Sequence, residues 1–130
     1  MSIESILKQT RTIAVVGFSS DPAKPAQYVP AYLKNHGYRV IPVNPTLSEG
    51  LGEKAYPDLL SIPEPVEVVL IFRRSEAVPP IVQDAIQIKA KAVWMQQGIV
   101  NEEAAAQGRA AGLEVVMDRC MMMEHTRISE

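Results

Sequence analysis

The sequence predicts an α/β fold: a doubly wound, mainly parallel five-stranded sheet with helices on both faces. Short runs of β-branched residues alternate with helical stretches along the 130 residues, which is the pattern of parallel strands joined by helices. The apolar runs are nearly continuous, as in strands that are buried on both sides, and 68–72 is the clearest example. The length suits one domain, so residues 1–130 are expected to form a single unit.

Five strands are expected from these runs, near residues 12–17, 38–43, 66–72, 92–96 and 113–117. Crossover connections between parallel strands are right-handed in nearly all proteins. The carboxyl ends of all five strands should therefore lie along one edge of the sheet. Trp94, within the fourth of these runs, is expected in the core.

The first two helical segments flank the first strand. One covers Ser2 to Gln9, and the next runs from about Ala26 to Asn35, where Gly37 is suited to end it. Because proline disrupts a helix interior but is tolerated in the first turn, Pro30 suggests that this helix begins only near Tyr28.

The remaining helical segments are expected at 56–60, 76–89, 101–112 and 120–127. Ser75 is the candidate cap of the second of these, whose start is obscured by Pro79 and Pro80. The third has clear signals, because Asn101 is a good N-cap and acidic residues follow it at the positive end of the helix.

Composition favours a cytoplasmic protein without nucleic-acid or membrane partners. The formal net charge is −2, whereas dedicated nucleic-acid binders usually carry an excess of Lys and Arg. No apolar run approaches the roughly 20 residues that span a bilayer. A single cysteine, Cys120, excludes an internal disulfide framework.

The carboxyl edge of the predicted sheet is where open α/β sheets bind ligands. The first strand ends at Gly17, and the backbone amides and hydroxyls of Ser19 and Ser20 are candidates to hold a phosphate near a helix N-terminus. The loop lacks both the G-x-G-x-x-G spacing and the Walker A sequence, so an ordinary turn remains the alternative.

Neutral and basic residues distinguish this edge from an NAD site. The second strand ends in Asn44-Pro45, where an NAD-binding domain normally places an acidic residue for the ribose; a simple turn is the alternative reading. Four cations are expected at the same edge: Lys24, Arg73, Arg74 and Arg119. One of the two adjacent arginines is expected to be merely solvated, but the local excess of charge predicts a polyanionic small molecule as ligand.

Catalytic and metal-binding patterns are weak. Cys120, Glu124 and His125 cluster near the C-terminus, but their spacing matches no structural zinc pattern, and no third group orients a Cys–His pair. His36 is expected at the solvated surface. Met121–Met123 is expected to form a flexible apolar patch, under the ligand edge or at a subunit contact of a possible homodimer.

Over nearly its whole length the chain resembles the small stand-alone CoA-binding proteins, single-domain relatives of the CoA-binding domain in succinyl-CoA synthetase α subunits. The resemblance depends on five segments in a specific order: 13–25, 38–45, 72–74, 93–99 and 118–125. It implies a Rossmann-like domain that binds coenzyme A, or a short acyl-CoA, at the carboxyl edge. It does not extend to ligase activity, because the sequence to Glu130 lacks the domain that carries the phosphorylated histidine of the synthetase.

The resemblance also implies which residues contact CoA. The phosphate-bearing end would be held by Gly17, Phe18, Ser19, Ser20 and Lys24. The adenosine would be walled by Val43, Asn44 and Pro45. The diphosphate or the start of the pantetheine arm would contact Phe72, Arg73 and Arg74, and Gln97, Gly98 and Ile99 would lie beyond them.

The expected function is thus a CoA carrier, sensor or accessory protein with no catalytic or metal site of its own. Three alternatives remain open. One is an NAD(P)-binding regulatory module, and another is an enzyme that uses Cys120 and His125 on a thiol or thioester. A ligand-free interaction module, with an unidentified protein partner, is the third.

Overall fold

A computed structural model describes residues 2–129, and its centre is a five-stranded parallel sheet. The strands are β1 (Thr12–Val16), β2 (Arg39–Val43), β5 (Val68–Ile71), β6 (Ala92–Met95) and β7 (Glu114–Val116). Two further strands, β3 (Glu49–Gly50) and β4 (Glu53–Lys54), form a small antiparallel hairpin after β2. The order in the sheet is β2-β1-β5-β6-β7, so the chain winds outwards in both directions from the β1–β5 pair. The predicted fold class is confirmed.

Helices cover both faces of this sheet. They are α1 (Ile3–Gln9), α2 (Pro25–Asn35), α3 (Val78–Gln87), α4 (Glu102–Ala110) and α5 (Met121–Ile128). Short 3₁₀ turns at Leu59–Ser61 and Ser75–Ala77 lie on either side of β5. Within the described residues, none of the helices is both long and apolar enough to cross a membrane.

The alternating residues of the strands divide the core into two halves. Ile13 and Val15 of β1 pack with Trp94 under α1, α2 and α5. Ala14, on the opposite face of the same strand, packs with residues of α3 and α4. Both faces of β1 are therefore buried, which explains why its sequence is a continuous apolar run. Trp94 is fully buried, as predicted.

The start of α2 differs from the sequence-based prediction. The helix begins at Pro25, and Pro30 lies inside it rather than in its first turn. A proline has no N–H to donate to the carbonyl four residues earlier, which here is the carbonyl of Ala26. The backbone amide of Ser19 donates to that carbonyl instead, over 3.2 Å. The loop after β1 thus takes the acceptor that Pro30 leaves unused.

Two smaller predictions were also wrong. The hydroxyl of Ser75 does not cap α3, because the N-cap position is Ala77. The Ser75 hydroxyl instead accepts a hydrogen bond of 3.1 Å from the amide of Val100. The helical turn expected at 56–60 lies later, at Leu59–Ser61, where the Asp58 carboxylate accepts from the amide of Ser61. The hairpin β3–β4 was not predicted.

Candidate functional site

The carboxyl ends of β1 and β5 form the point at which the winding of the sheet reverses, and the loops that follow them leave in opposite directions. Gly17 begins the loop after β1 with a left-handed φ of 89°. A Cβ atom at this position would lie 2.4 Å from the carbonyl oxygen of Phe72. Glycine is therefore required both by the backbone conformation and by the close approach of the two loops.

Three clefts open along this edge. We call them the β1 cleft, of about 410 Å³, the α3 cleft, of about 290 Å³, and the β6 cleft, of about 360 Å³. Gly17 lines the first two, and Arg73 lines the second and third. Lys24, Ala26 and Phe72 line both the β1 and the β6 cleft. The three clefts are thus parts of one continuous groove across the switch point.

The β1 cleft is lined mainly by polar residues and by backbone amides of the loop after β1. Its further lining comprises Phe18, Ser19, Ser20, Asn44, Thr46 and Leu47. The amide of Gly17 donates to Val43 and that of Ser19 to Ala26, so neither is free for a ligand. The amides of Phe18, Ser20 and Ala26, by contrast, have no hydrogen-bond partner within residues 2–129. The last belongs to the first turn of α2, where unpaired amides favour an anion.

Phe18 lines the cleft although it is almost fully buried. The residue is 1% exposed, and its ring packs against Gly50 of β3, where a Cβ would come within 2.4 Å of the ring. The unpredicted hairpin therefore covers this ring. The carbonyl of Phe18 accepts a hydrogen bond of 2.8 Å from the side-chain amide of Asn44.

Asn44 joins the loops after β1 and β2. Besides donating to Phe18, its side-chain oxygen accepts from both the amide and the hydroxyl of Thr46, at 2.8 and 2.7 Å. The side chain thus forms an Asx turn and has its donor and acceptor committed to the protein. Asn44 therefore forms the turn that was the alternative interpretation of the sequence, and it also lines the β1 cleft.

The α3 cleft lies on the other side of Gly17. Its lining is mostly apolar and includes Val16, Val43, Pro45, Pro57, Leu59, Ala77, Pro80 and Ile81. Asp58 and Asp84 also line it, and sequence reasoning did not identify either one. Ala77 at the N-cap of α3, Ile81 and Asp84 have the spacing of one helix face. The sequence contains this pattern, but the uncertain start of the helix prevented its recognition.

The two adjacent arginines have different surroundings. Arg73 lines the α3 and β6 clefts. Its side chain lies beside Gly17, where a Cβ would be 3.0 Å from the Arg73 Cδ. The side chain of Arg74 is 87% exposed and forms an ion pair of 3.3 Å with Glu76, although it also borders the β6 cleft. Arg119 lines none of the three clefts; its carbonyl accepts a 2.8 Å hydrogen bond from the indole of Trp94.

The β6 cleft extends from Phe72 towards the turn after β6. Gln96, Gln97 and Ile99 line it, together with Pro25 of α2. Gln96 is buried, and its side-chain oxygen accepts from the amide of Met121 at the start of α5. The amide of Gly98 donates to the Asp118 carboxylate at 2.7 Å, so Gly98 supports the turn without offering its own N–H to the cleft.

The groups proposed for thiol chemistry are not joined. Cys120 is buried at the start of α5, whereas the ring nitrogen Nδ1 of His125 lies 2.8 Å from the hydroxyl of Tyr32 on α2. Among residues 2–129 no hydrogen bond links Cys120 to His125. His36 is exposed, as expected, but its ring stacks on Tyr32 with centroids 3.9 Å apart.

The methionine patch is only partly exposed. Met121 is fully buried in the core. Met122 is partly buried and packs against the core, and Met123 is 58% exposed. In the part of the chain that is described, no three His, Cys, Asp or Glu side chains are arranged to hold a metal ion.

Known proteins share both this sequence pattern and this fold. Residues 11–126 match the model of the family described as CoA binding domain. A Bacillus subtilis protein, described as uncharacterized protein YneT, is 41% identical over 123 residues, which are 95% of this chain and 91% of that protein. A hypothetical protein from Pyrococcus horikoshii has a solved structure with a TM-score of 0.95 and 42% identity, covering 100% of this chain and 94% of that one.

A larger relative links the fold to CoA enzymes. Acetate–CoA ligase [ADP-forming] II of Archaeoglobus fulgidus is 31% identical over 109 residues, which are 81% of this chain. The matched region is only 16% of the ligase. This chain therefore corresponds to one region of that enzyme, and the activity of the whole ligase is not part of the comparison.

Proposed function

The chain belongs to the CoA-binding domain family, and we propose that it binds coenzyme A, or a short acyl-CoA, in the groove at the carboxyl edge of its sheet. The observation that carries the proposal is the continuity of the three clefts across the switch point, with Arg73 and Lys24 at their junctions. CoA is a long molecule with an apolar base at one end, phosphates near that end and an extended arm. A groove that is apolar, then polar, then apolar again suits this order of groups.

In this proposal the adenine base occupies the α3 cleft. Val43 and Pro45 line this cleft and would wall the adenosine, as the resemblance implied, and Ile81 of α3 also lines it. The volume of about 290 Å³ is sufficient for a purine, and the mostly apolar lining suits its faces. Asp84 then offers an acceptor for an exocyclic amine at the edge of the base.

The phosphates lie over the β1 cleft. The unpaired amides of Phe18, Ser20 and Ala26 donate to phosphate oxygens. Lys24 lines this cleft, and Arg73, which lines the two adjoining clefts, supplies a second positive charge. The contribution of Ser19 is its side chain, because its amide is already committed to Ala26. The pantetheine arm continues into the β6 cleft, past Phe72 towards Gln97 and Ile99.

The same geometry favours CoA over NAD. A ribose diol is usually held by a carboxylate at the end of the second strand, but this position holds Asn44, whose side chain is engaged by Phe18 and Thr46. A neutral, occupied side chain offers no pair of acceptors to the diol and does not repel a ribose phosphate. NADP, which has a ribose 2′-phosphate, is therefore the more demanding competitor.

Isothermal titration of the purified chain, freed of bound ligand, tests the proposal. We expect CoA to bind with micromolar or tighter affinity and NAD, NADP and ATP to bind much more weakly. Acetyl-CoA is included to establish whether an acyl group is accepted. Preference for NADP, or no binding of CoA, would reject the proposed ligand while leaving the fold assignment intact.

We further propose a role in carriage, sensing or another accessory task rather than in catalysis. Cys120 and His125 do not form a hydrogen-bonded pair, and His125 is engaged by Tyr32. If they nevertheless act on a bound thioester, wild-type protein will turn over acetyl-CoA, and Cys120→Ala will abolish that turnover without changing CoA affinity.

A further inference from the structure

The turn after β6 is held from both sides by neighbouring loops. On one side, the carboxylate of Asp118 accepts from the amide of Gly98 at 2.7 Å, and the amide of Asp118 donates to the carbonyl of Ile99 at 3.2 Å. On the other side, the hydroxyl and carbonyl of Ser75 accept from Val100 and Asn101, at 3.1 and 2.9 Å. Four hydrogen bonds from outside thus fix a turn of a few residues.

Asp118 makes its two bonds from an unfavourable backbone conformation. Its φ is 58°, in the left-handed region that non-glycine residues seldom adopt, although Asn and Asp tolerate it best. The next residue is anchored, because the carbonyl of Arg119 accepts from the indole of the buried Trp94. The left-handed residue therefore turns the chain after β7 while its side chain reaches back to Gly98.

We propose that Asp118 is a positioning residue that holds Gln97 and Ile99 in place for the arm of a bound CoA. The inference rests on the proposed function, since it concerns the cleft assigned there to the pantetheine arm. Asp118 lines none of the three clefts itself, so it acts through the turn. Gln97 and Ile99 line the β6 cleft together with Pro25 of α2, and the Asp118 bonds to Gly98 and Ile99 fix the turn that carries them.

Two substitutions separate the carboxylate from the backbone conformation. Asp118→Gly accepts the left-handed φ without strain but removes the acceptor for Gly98. Asp118→Asn tolerates the same φ and keeps a side-chain oxygen at the same distance along the side chain. The two variants therefore share a permissive backbone and differ in the bond to the turn.

Two ligands separate the arm from the nucleotide end. CoA contacts the whole groove, whereas adenosine 3′,5′-bisphosphate has the base, the ribose 3′-phosphate and the first 5′-phosphate of CoA, and lacks the second 5′-phosphate and the pantetheine arm. We expect Asp118→Gly to weaken CoA binding by about tenfold, the scale of one lost hydrogen bond and its ordering, and to leave adenosine 3′,5′-bisphosphate within about twofold of wild type. Asp118→Asn should restore most of the CoA affinity.

The outcomes distinguish this inference from the function on which it rests. If wild-type protein binds neither ligand, the proposed function fails. If wild type binds CoA and Asp118→Gly binds it equally well, the positioning role is rejected and the function stands. Equal weakening of both ligands, with a lowered unfolding midpoint, would also reject the positioning role, because it would mean that Asp118 merely supports the fold.

Discussion

At the scale of single residues, Arg73 and Arg74 are neighbours in sequence but not in environment. Arg73 lines the α3 and β6 clefts, whereas Arg74 extends into solvent and pairs with Glu76. We expect Arg73→Met to weaken CoA binding by about 1–3 kcal/mol, the usual scale of charge-assisted hydrogen bonds to phosphate. Methionine is chosen because it retains much of the apolar stem. Isothermal titration measures the difference.

Arg74→Met is the matched control for this prediction. It removes the same charge one residue away, so non-specific attraction between CoA and a basic loop would decrease to a similar extent. We expect a loss below about 0.5 kcal/mol, because exposed charges and surface ion pairs contribute little. Similar losses in both variants would show that the phosphates are attracted only by overall charge.

Gly17 and Gly37 provide a second comparison between residues. Both have positive φ, of 89° and 97°, but a Cβ on Gly17 would meet the carbonyl of Phe72 at 2.4 Å, whereas a Cβ on Gly37 would have no neighbour within 4 Å. We expect Gly37→Ala to lower the free energy of unfolding by about 1–2 kcal/mol through backbone strain alone. Gly17→Ala should lower it by roughly 3 kcal/mol or more, because the loop must also move.

Urea unfolding of both variants tests this expectation. The midpoint of Gly17→Ala should lie clearly below that of Gly37→Ala at an unchanged dependence on denaturant. If the two variants are equally stable, the loops after β1 and β5 do not approach each other closely at Gly17 in solution.

At the scale of elements, α5 is attached to α2 by a cluster of rings. His125 lies 2.8 Å from the Tyr32 hydroxyl, and its ring centroid is 5.3 Å from that of His36 and 5.6 Å from that of Tyr38. Burial lowers the pKa of His125, and the neighbouring His36 lowers it further. The folded state therefore favours neutral His125, whose Nδ1 shares a hydrogen bond with the Tyr32 hydroxyl.

This direction of the pKa shift sets the sign of a pH effect. Below the ordinary histidine pKa of about 6.5 the unfolded chain binds more protons at this residue than the folded chain does. Its contribution to stability is thus complete above that pH and is lost as the pH falls through the lower pKa of the folded state. We expect the free energy of unfolding to decrease between pH 7.5 and pH 5.5, and to decrease less in His125→Gln.

Urea unfolding at the two pH values gives the measurement, and His36→Gln is the control. That variant removes the neighbouring charge and keeps His125, so its decrease should be intermediate. The same carboxylates are present in all three proteins, so the comparison isolates the two histidines. An identical pH dependence in wild type and His125→Gln would contradict the assignment of this effect to the contact between α2 and α5.

The elements of the sheet were predictable because their signal is local. The continuous apolar runs gave all five strands to within two residues at either end, since strands that are buried on both faces have no polar positions. The β3–β4 hairpin was missed because each strand has only two residues, too few for any period. The start of α2 was misjudged because the rule against internal proline ignores what else can use the freed carbonyl, which here is the Ser19 amide.

The sequence was sufficient to predict which loops line the candidate site, but not which atoms in those loops are available to a ligand. Parallel topology brings Gly17, Asn44, Arg73 and Gln97 to one edge whatever their side chains do. Which groups remain available depends on contacts between distant residues, such as Asn44 with Phe18 or Gly98 with Asp118, 20 residues later in the chain. No sequence pattern reports such pairs, so the roles within the loops required the structure.

At the scale of the whole molecule, the two edges of the sheet provide an internal comparison. The carboxyl edge has the groove described above, and the amino edge has a cleft of about 400 Å³ that is lined by Arg11, Lys89 and Lys91. Both edges offer a cavity and cations. They differ in that Glu64 and Glu67 line the amino-edge cleft, and Glu67 accepts from the amide of Arg11 at 2.7 Å. The Glu67 carboxylate accepts from the backbone amides of Arg11 and Thr12 and lies 3.7 Å from Lys91 Nζ, and both carboxylates repel an anion, so a polyanion should prefer the carboxyl edge.

Hydrogen–deuterium exchange with and without CoA tests this preference across the chain. We expect saturating CoA to slow exchange together in four segments that are distant in sequence: 17–26, 44–47, 72–74 and 96–99. The segments of the amino edge, 10–12, 63–67 and 88–91, should be unchanged.

At a free CoA concentration of 100 times the dissociation constant, binding should also raise the free energy of unfolding by about 2.7 kcal/mol. This global gain would slow exchange in the deepest core strands. Protection confined to the amino edge, or limited to 17–26 without 96–99, would contradict a ligand that extends along the whole groove.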